Sequence, residues 1–389
     1  MMNRAVITIV LAELMGTSLW FSGNNAIAEI ASLWQLNTVE QAWLLMAAQI
    51  GFIVGTTFFA ISGWADRFRA HHIFFISCLI GAFSNIGFIH ASSGLSSALI
   101  YRLITGLALA GIYPTGMKLM ISWVGDRTEL ALGWLVGALT IGTSVPYLVR
   151  AVEGSQWRTA VVASSVLATT GGLIIFMLGE GIHSRRGQRV RWGTILEVFR
   201  VRGFRLSALA YCGHMWELYA FWALVPKLIA RSCFNQLSPD STVWMFSFLV
   251  IGLGAAGCIV GGWIALQQGS ARVAFYALLA SFLLCMIYPF LGTIHPYAAA
   301  CILALWGIAV VADSPQFASL SANAVEAHKV GSALAVQNAL GFSVTLISIQ
   351  LTTWIWPLVH EWAVLFLAPG PLLGLLALSG WWTYRRTRI

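Results

Sequence analysis

The sequence predicts an all-α membrane protein of twelve transmembrane helices in two six-helix bundles. Three observations carry that prediction. Hydrophobic residues make up 59% of the 389-residue chain, and Asp, Glu, Lys and Arg only 9%, against about 25% in a soluble domain. The mean hydropathy is +0.81. The apolar residues fall in runs of ~20 or more, the length of a spanning helix, not the ~10-residue alternating strands of a barrel. So few charges cannot cover a soluble fold of this size, which excludes soluble enzymes.

Twelve apolar segments can be drawn, each bounded by charges, Gly or Pro: 5–28, 41–62, 72–91, 97–122, 130–151, 159–179, 204–229, 243–266, 272–293, 297–322, 331–356 and 362–384. They are called spans 1 to 12. The longest interruption, 181–203, carries Arg185, Arg186, Arg189, Arg191, Arg200 and Arg202. It divides the chain into an N-terminal bundle (1–180), a cytoplasmic central loop (181–203) and a C-terminal bundle (204–389). Thr194 to Phe199 is expected to form a short amphipathic helix at the membrane surface. With the N-terminus in the cytoplasm, sixteen of the 22 Lys and Arg residues fall in inside loops and four, Arg150, Arg158, Lys227 and Arg231, at outside ends. By the positive-inside rule both termini are then cytoplasmic, in a bacterial-type inner (plasma) membrane. The start, Met1 to Phe21 with Ala26-Ile27-Ala28 beyond it, has the outline of a signal peptide but is expected to stay as span 1.

The two halves echo each other. Gly63-Trp64 after span 2 matches Gly262-Trp263 at the end of span 8. Gly106 precedes Pro114 by eight residues in span 4, and Gly307 precedes Pro315 by eight in span 10. Each proline removes a backbone donor and should bend its helix.

Several classes are excluded by absence. The +8 net charge is spread over short loops rather than gathered in a patch, so nucleic acid is not expected as a partner. Cys78, Cys212, Cys233, Cys258, Cys285 and Cys301 have neither zinc-like nor C-x-x-C spacing, so no metal and no disulfide are expected. No P-loop, H-E-x-x-H or G-x-S-x-G motif occurs, so neither ATP-driven transport nor intramembrane catalysis is expected, and no cofactor is implied.

A charge at the bilayer centre costs at least ~2.5–3.5 kcal/mol, so each one needs a reason. The deep ionisable residues are Glu13, Arg102, His214, Glu217 and Asp313. Glu13 lies ~13 Å beyond Arg4 and Glu217 ~18 Å beyond Arg205 at 1.5 Å per residue, both near the midplane. His214 and Glu217, three residues apart, share a helical face and are expected either to pair or to bind proton or substrate. Arg102 is expected to hold polar backbone of span 1. Glu13 is either its counter-ion or a proton or substrate site. Asp313 either caps the backbone at the Pro315 bend or joins that site. Trp20, Trp216, Tyr219, Phe221 and Trp222 flank the same depth and would suit a solute with a planar or apolar part. Asn24, Asn25, Gln49, Gln316, Gln337 and Asn338 are further polar candidates. Three acids against one arginine tilt the expected solute towards neutral, zwitterionic or cationic.

Six plus six spans, a basic central loop and a charged loop after span 2 resemble the major facilitator superfamily. Ser62-Gly63-Trp64-Ala65-Asp66-Arg67-Phe68-Arg69 resembles its loop 2–3 signature, with Ser62 and Arg69 in place of glycines. Arg102-Leu103-Ile104-Thr105-Gly106 through Gly111 resembles its span 4 signature. Within the superfamily, Ser18-Leu19-Trp20-Phe21-Ser22, Gly111-Ile112-Tyr113-Pro114, Gly213-His214-Met215-Trp216-Glu217-Leu218-Tyr219 and Val311-Ala312-Asp313-Ser314-Pro315-Gln316-Phe317 resemble the branch labelled nitrate/nitrite- or cyanate-transporter-like. Nitrate carriers hold the anion with arginines in spans 2 and 8, and neither 41–62 nor 243–266 contains Arg or Lys.

The resemblance implies that spans 1, 4, 7 and 10 line a central cavity, and these are the spans that carry all five deep ionisable residues. It implies alternating access, with Asp66 and Arg67 as a cytoplasmic gate. The expected function is a proton-coupled secondary active transporter of a small organic solute. Its partners would be that solute, protons and lipid, and the protein is expected to act as a monomer. Proton-driven efflux of a drug or secreted metabolite is the alternative, and a non-transporting receptor or scaffold a third reading.

Overall fold

The computed structural model describes residues 4–62, 64, 68–124, 128–153, 157–182, 197–232, 240–291, 295–326 and 330–386, and among these the regular elements are all helices. Span 1 runs as Arg4–Thr17, Leu19–Ser22, a 3₁₀ turn Asn24–Ala26 and Ile27–Trp34. Spans 2 and 3 are Thr38–Ser62 and Ala70–His90. Span 4 is broken into Leu95–Ala110 and Tyr113–Val124. Spans 5, 6 and 7 are Thr128–Glu153, Trp157–Leu178 and Arg202–Arg231. Span 8 is Asp240–Gly252 and Gly254–Gln268, and span 9 Ser270–Leu291. Span 10 is Pro296–Ala312 and Ser314–Ala324, span 11 Val330–Val359 and span 12 Pro369–Arg386.

Among the described residues, ten stretches are long and apolar enough on their own to cross a membrane. The helix count reaches twelve for two reasons. One stretch, Ala333–Trp381, holds two helices parted by the 3₁₀ segment His360–Leu367. Arg202–Arg231 is a full-length helix whose hydropathy is lowered by His214, Glu217 and two tyrosines. Two expected boundaries move. Span 1 continues past residue 28 until Gln35 takes a left-handed conformation (φ 52°), and span 12 starts at Pro369 rather than at 362. The amphipathic helix expected over 194–199 falls largely outside the described residues, as do Asp66, Arg67 and Cys233.

The helices pack as two bundles with matched neighbours. Span 1 lies on 5 and 6 as span 7 lies on 11 and 12, and span 2 lies on 4 as span 8 lies on 10. The two bundles meet where span 2 crosses 11 and where span 5 runs along 8. A twofold that swaps the halves exchanges these two contacts. The glycine echo in the sequence has a physical basis in this packing. A Cβ on Gly106 would overlap the Ala48 carbonyl oxygen, and one on Gly51 the Leu103 carbonyl oxygen. In the other half, a Cβ on Gly307 would overlap the Val250 carbonyl and one on Gly257 the Ile308 carbonyl. Backbone meets backbone at both places because apolar helices in lipid gain from close van der Waals approach, which only small residues permit.

The bends fall where the prolines predict. Span 4 breaks at Gly111-Ile112, just before Pro114, where Gly111 and Ile112 donate to Ala108 and Leu109 in i→i−3 bonds. Span 10 breaks at Asp313, just before Ser314-Pro315.

Candidate functional site

Span 1 organises the middle of the protein because its helix is interrupted between Thr17 and Ile27. Arg102 reaches across from span 4. Its Nη2 donates to the Trp20 carbonyl at 2.9 Å and to Asn24 Oδ1 at 2.8 Å. Its side chain lies against Gly23, where a Cβ would sit 2.8 Å from Cδ, Nε and Nη1. Arg102 is fully buried, and its Nε and Nη1 have no acceptor.

Glu13 does not neutralise Arg102, so the counter-ion reading is corrected. The span 1 break turns the two groups apart: Arg102 engages the segment after Thr17, while Glu13 lies in the helix before it. Neither Glu13 oxygen has a hydrogen-bond partner, although the residue is fully buried. Its carboxyl sits in a notch on the second half of span 4, where a Cβ on Gly116 would overlap Oε2. An ionised carboxylate in such a place would cost several kcal/mol.

Aromatic rings fill the space between the halves at and above this depth. Trp20 packs on Phe52 (4.9 Å between centroids), Phe342 (5.4 Å) and Tyr219 (5.5 Å). Phe52 and Phe342, one from each half, are 4.3 Å apart. Phe21 meets Trp222 at 5.9 Å and Tyr147 at 6.4 Å, and Tyr147 stacks on Trp244 at 6.1 Å. Where span 5 ends, Arg150 pairs with Glu29 and lies 3.8 Å over the Trp244 ring. These contacts run from mid-span to the span 5 terminus and close that side of the path. Trp244→Ala removes the ring Arg150 covers, a cation–π contact of ~0.5–2 kcal/mol. A cysteine placed at Tyr147 should then react faster with a thiol reagent added from that face, and an unchanged rate would mean the contact latches nothing.

The expected His214–Glu217 pair does not form. His214 Nδ1 lies 2.9 Å from Asp313 Oδ1, with both side chains about 1% exposed. The approach is off-axis for a hydrogen bond, so Asp313 Oδ1 is left without one, and the other ring nitrogen, His214 Nε2, also has no partner. Asp313 makes no side-chain cap at the span 10 bend. Glu217 takes different partners, on spans 9 and 10. Its Oε1 accepts from Ser281 Oγ and from Trp306 Nε1, each at 2.7 Å, and Trp306 also reaches Ser281 Oγ at 3.1 Å. A three-residue offset is ~300° around a helix axis, which is ~60° the other way round, so both residues face span 10 at different heights and Glu217 also reaches span 9.

Two more sequence candidates stand apart from the aromatic chamber. Trp216 donates from Nε1 to the Phe366 carbonyl at 2.8 Å and packs on Gly370, in the direction of span 12. Gln316 is fully buried with both amide atoms unpartnered, and it faces Gly261 of span 8. Tyr219 and Trp20 lie in the chamber itself. Towards the N-terminal end of span 7, Tyr211 Oη is 3.1 Å from Asn338 Oδ1, and Ser321 Oγ donates to Gln337 Oε1. Nothing in the one-dimensional pattern marks Phe52, Phe342, Gly116, Ser281 or Trp306. Among the described residues no cluster of His, Cys, Asp or Glu could hold a metal ion.

Two pseudo-symmetric six-helix bundles around a buried set of polar groups have the build of a membrane transporter. The chain belongs to the Major Facilitator Superfamily, which it matches over residues 1–349. It is a multi-pass integral membrane protein, and members of this family are transporters, not enzymes. No curated protein matches the chain by sequence. Its fold is similar to that of the proton:xylose symporter XylE bound to 6-bromo-6-deoxy-D-glucose, with TM-score 0.76 and 12% identity over 97% of this chain and 95% of that one. It is also similar to the human organic anion transporter MFSD10 (TETRAN), with TM-score 0.69 and 15% identity over 96% of this chain and 98% of that one.

Proposed function

We propose that this protein is a proton-coupled secondary active transporter that moves a small organic solute by rocking residues 1–180 against 204–389. We place it as a monomer in a bacterial-type inner membrane with both termini cytoplasmic, on the sixteen-to-four distribution of basic residues. The segments around Trp20, Tyr113, His214 and Asp313 favour the nitrate/nitrite- or cyanate-transporter-like branch. The absence of Arg and Lys from spans 2 and 8 argues for a substrate other than nitrate.

The single observation that carries the coupling is Glu13, a fully buried carboxyl on a cavity-lining span with no donor to either oxygen. No donor stands at either oxygen to hold a carboxylate there. Opening the path to water on one side hydrates Glu13 and lets the proton leave. The His214–Asp313 contact, 2.9 Å between Nδ1 and Oδ1, offers a second proton position in the other half, on the imidazole or on the carboxylate. Glu217, held by Ser281 and Trp306, acts in this reading as a brace between spans 7, 9 and 10. Asp66 and Arg67 serve as the cytoplasmic gate.

In proteoliposomes, Asp313→Asn should reduce pH-gradient-driven uptake by roughly tenfold while solute exchange across the membrane continues, a difference of about 1.4 kcal/mol in the coupled step. Gradient-driven uptake at the wild-type rate would remove the His214–Asp313 pair from the mechanism.

A further inference from the structure

We propose that the aromatic chamber is an anion site, and that the solute is a planar organic acid whose carboxylate binds between Arg102, Trp20 and Trp222. This rests on the transport reading above and names its substrate class. It reverses the charge tilt read from the sequence.

The acids counted in the sequence are not available to a cation at this site. Glu217 is engaged by Ser281 and Trp306, and Asp313 faces His214. Glu13 is lodged in the Gly116 notch of span 4. What remains at the chamber is a cation. Arg102 forms no ion pair, and its two hydrogen bonds go to neutral oxygens, the Trp20 carbonyl and Asn24 Oδ1. Two of its N–H-bearing nitrogens have no acceptor. A buried guanidinium without a counter-charge is unfavourable by several kcal/mol, and an anion relieves that cost.

The neighbouring donors agree in sign. The indole Nε1 atoms of Trp20 and Trp222 are both buried and both without acceptors. Their rings flank Tyr219 on two sides, at 5.5 and 5.2 Å. Trp20 is also the residue whose carbonyl Arg102 holds, which places the guanidinium and this indole on one short piece of span 1. An indole offers a donor and nothing else. Four unpartnered nitrogens, two from Arg102 and one from each tryptophan, therefore call for acceptor oxygens. Oε1 of Gln49, one turn before Phe52, is a buried acceptor without a partner and suits a hydroxyl or amino substituent on the acid.

The planar part follows from the rings. Trp20, Tyr219, Phe52 and Phe342 now pack on one another within 4.3–5.5 Å. A flat ring replaces such contacts without loss of apolar burial when the halves part. A sugar would leave most of its hydroxyls unmatched there, which is unfavourable for each one.

The test uses the purified full-length protein with benzoate, benzamide and benzylammonium as probes, titrated by calorimetry. Benzoate should bind at least ~10-fold more tightly than benzamide, and benzylammonium most weakly, as expected when the added interaction is a charge-assisted hydrogen bond. Trp20→Phe and Trp222→Phe keep a ring and lose only the N–H. Each should weaken benzoate by ~10-fold and leave benzamide within about twofold. Arg102→Gln should remove the preference for benzoate, and the two tryptophan variants decide the matter if that protein does not fold. Benzylammonium binding as tightly as benzoate overturns the proposal. So does benzoate affinity unchanged in both tryptophan variants, or no benzoate binding up to ~20 mM, a free energy too small for a built site. The transport reading fails separately: benzoate binding without any gradient-driven flux would leave the anion site standing and sink the coupling.

Discussion

Glu13→Gln should abolish accumulation driven by a pH gradient while leaving solute exchange near the wild-type rate. Glutamine keeps the length and the oxygen of the native side chain, so it fits the notch beside Gly116. It cannot release a proton when the path opens. Both Glu13 oxygens lack donors in the closed arrangement, so the neutral amide replaces the neutral acid with little change in packing there. The loss then appears in the coupled step alone. Glu13→Asp supplies the control, because it titrates but withdraws the carboxyl from Gly116 by one methylene. It should keep some gradient dependence with a lower rate. Accumulation by Glu13→Gln with unchanged rate and pH profile would assign the proton to His214 and Asp313 instead.

Gly106→Leu should prevent the protein from reaching a monodisperse folded state, the largest stability effect expected of any single substitution here. The added side chain must occupy the position of the Ala48 carbonyl in span 2. Overpacking a core commonly costs ~1–3 kcal/mol where side chains can yield, and here the obstacle is backbone. Span 2 also carries the contact to span 11 in the other half, so a displaced span 2 disturbs the whole interface. Gly307→Leu should behave alike, because Gly307 meets the Val250 carbonyl in the same way. Gly94→Ala is the control: nothing lies within 4 Å of its would-be Cβ, and its thermal unfolding should match the wild type. Normal folding of Gly106→Leu would mean that spans 2 and 4 can pack in a second register.

These outcomes separate what the sequence carries from what only packing decides. Span number and the repeat were legible because hydropathy runs, charge asymmetry and the Gly106–Pro114 and Gly307–Pro315 spacings are one-dimensional signals. The cost of a buried charge marked Glu13, Arg102, His214, Glu217 and Asp313 on the same grounds. Their pairing was not legible. Three residues along a helix leave two side chains only ~60° apart, and the partners that spans 9 and 10 present, Asp313 to His214 and Ser281 and Trp306 to Glu217, kept them from pairing. The Glu13–Arg102 pair failed because the break at Thr17–Ser18 changes the path of span 1 between them. Gly116 could not be recognised as a notch among 37 glycines. Phe52 and Phe342 look like any lipid-facing phenylalanine until the halves are brought together. Trp216 illustrates the converse, since its depth agrees with the chamber and its direction does not.

The most direct test of the central claim is accumulation from a metabolite mixture. Purified protein in sealed liposomes, given a cell extract and an imposed pH gradient, should concentrate one or a few small organic solutes detectable by mass spectrometry. The account predicts that this accumulation disappears when a protonophore collapses the gradient, and that counterflow of the same solute persists. If no solute accumulates beyond protein-free liposomes, or if accumulation is indifferent to the protonophore, then proton-coupled solute transport is contradicted.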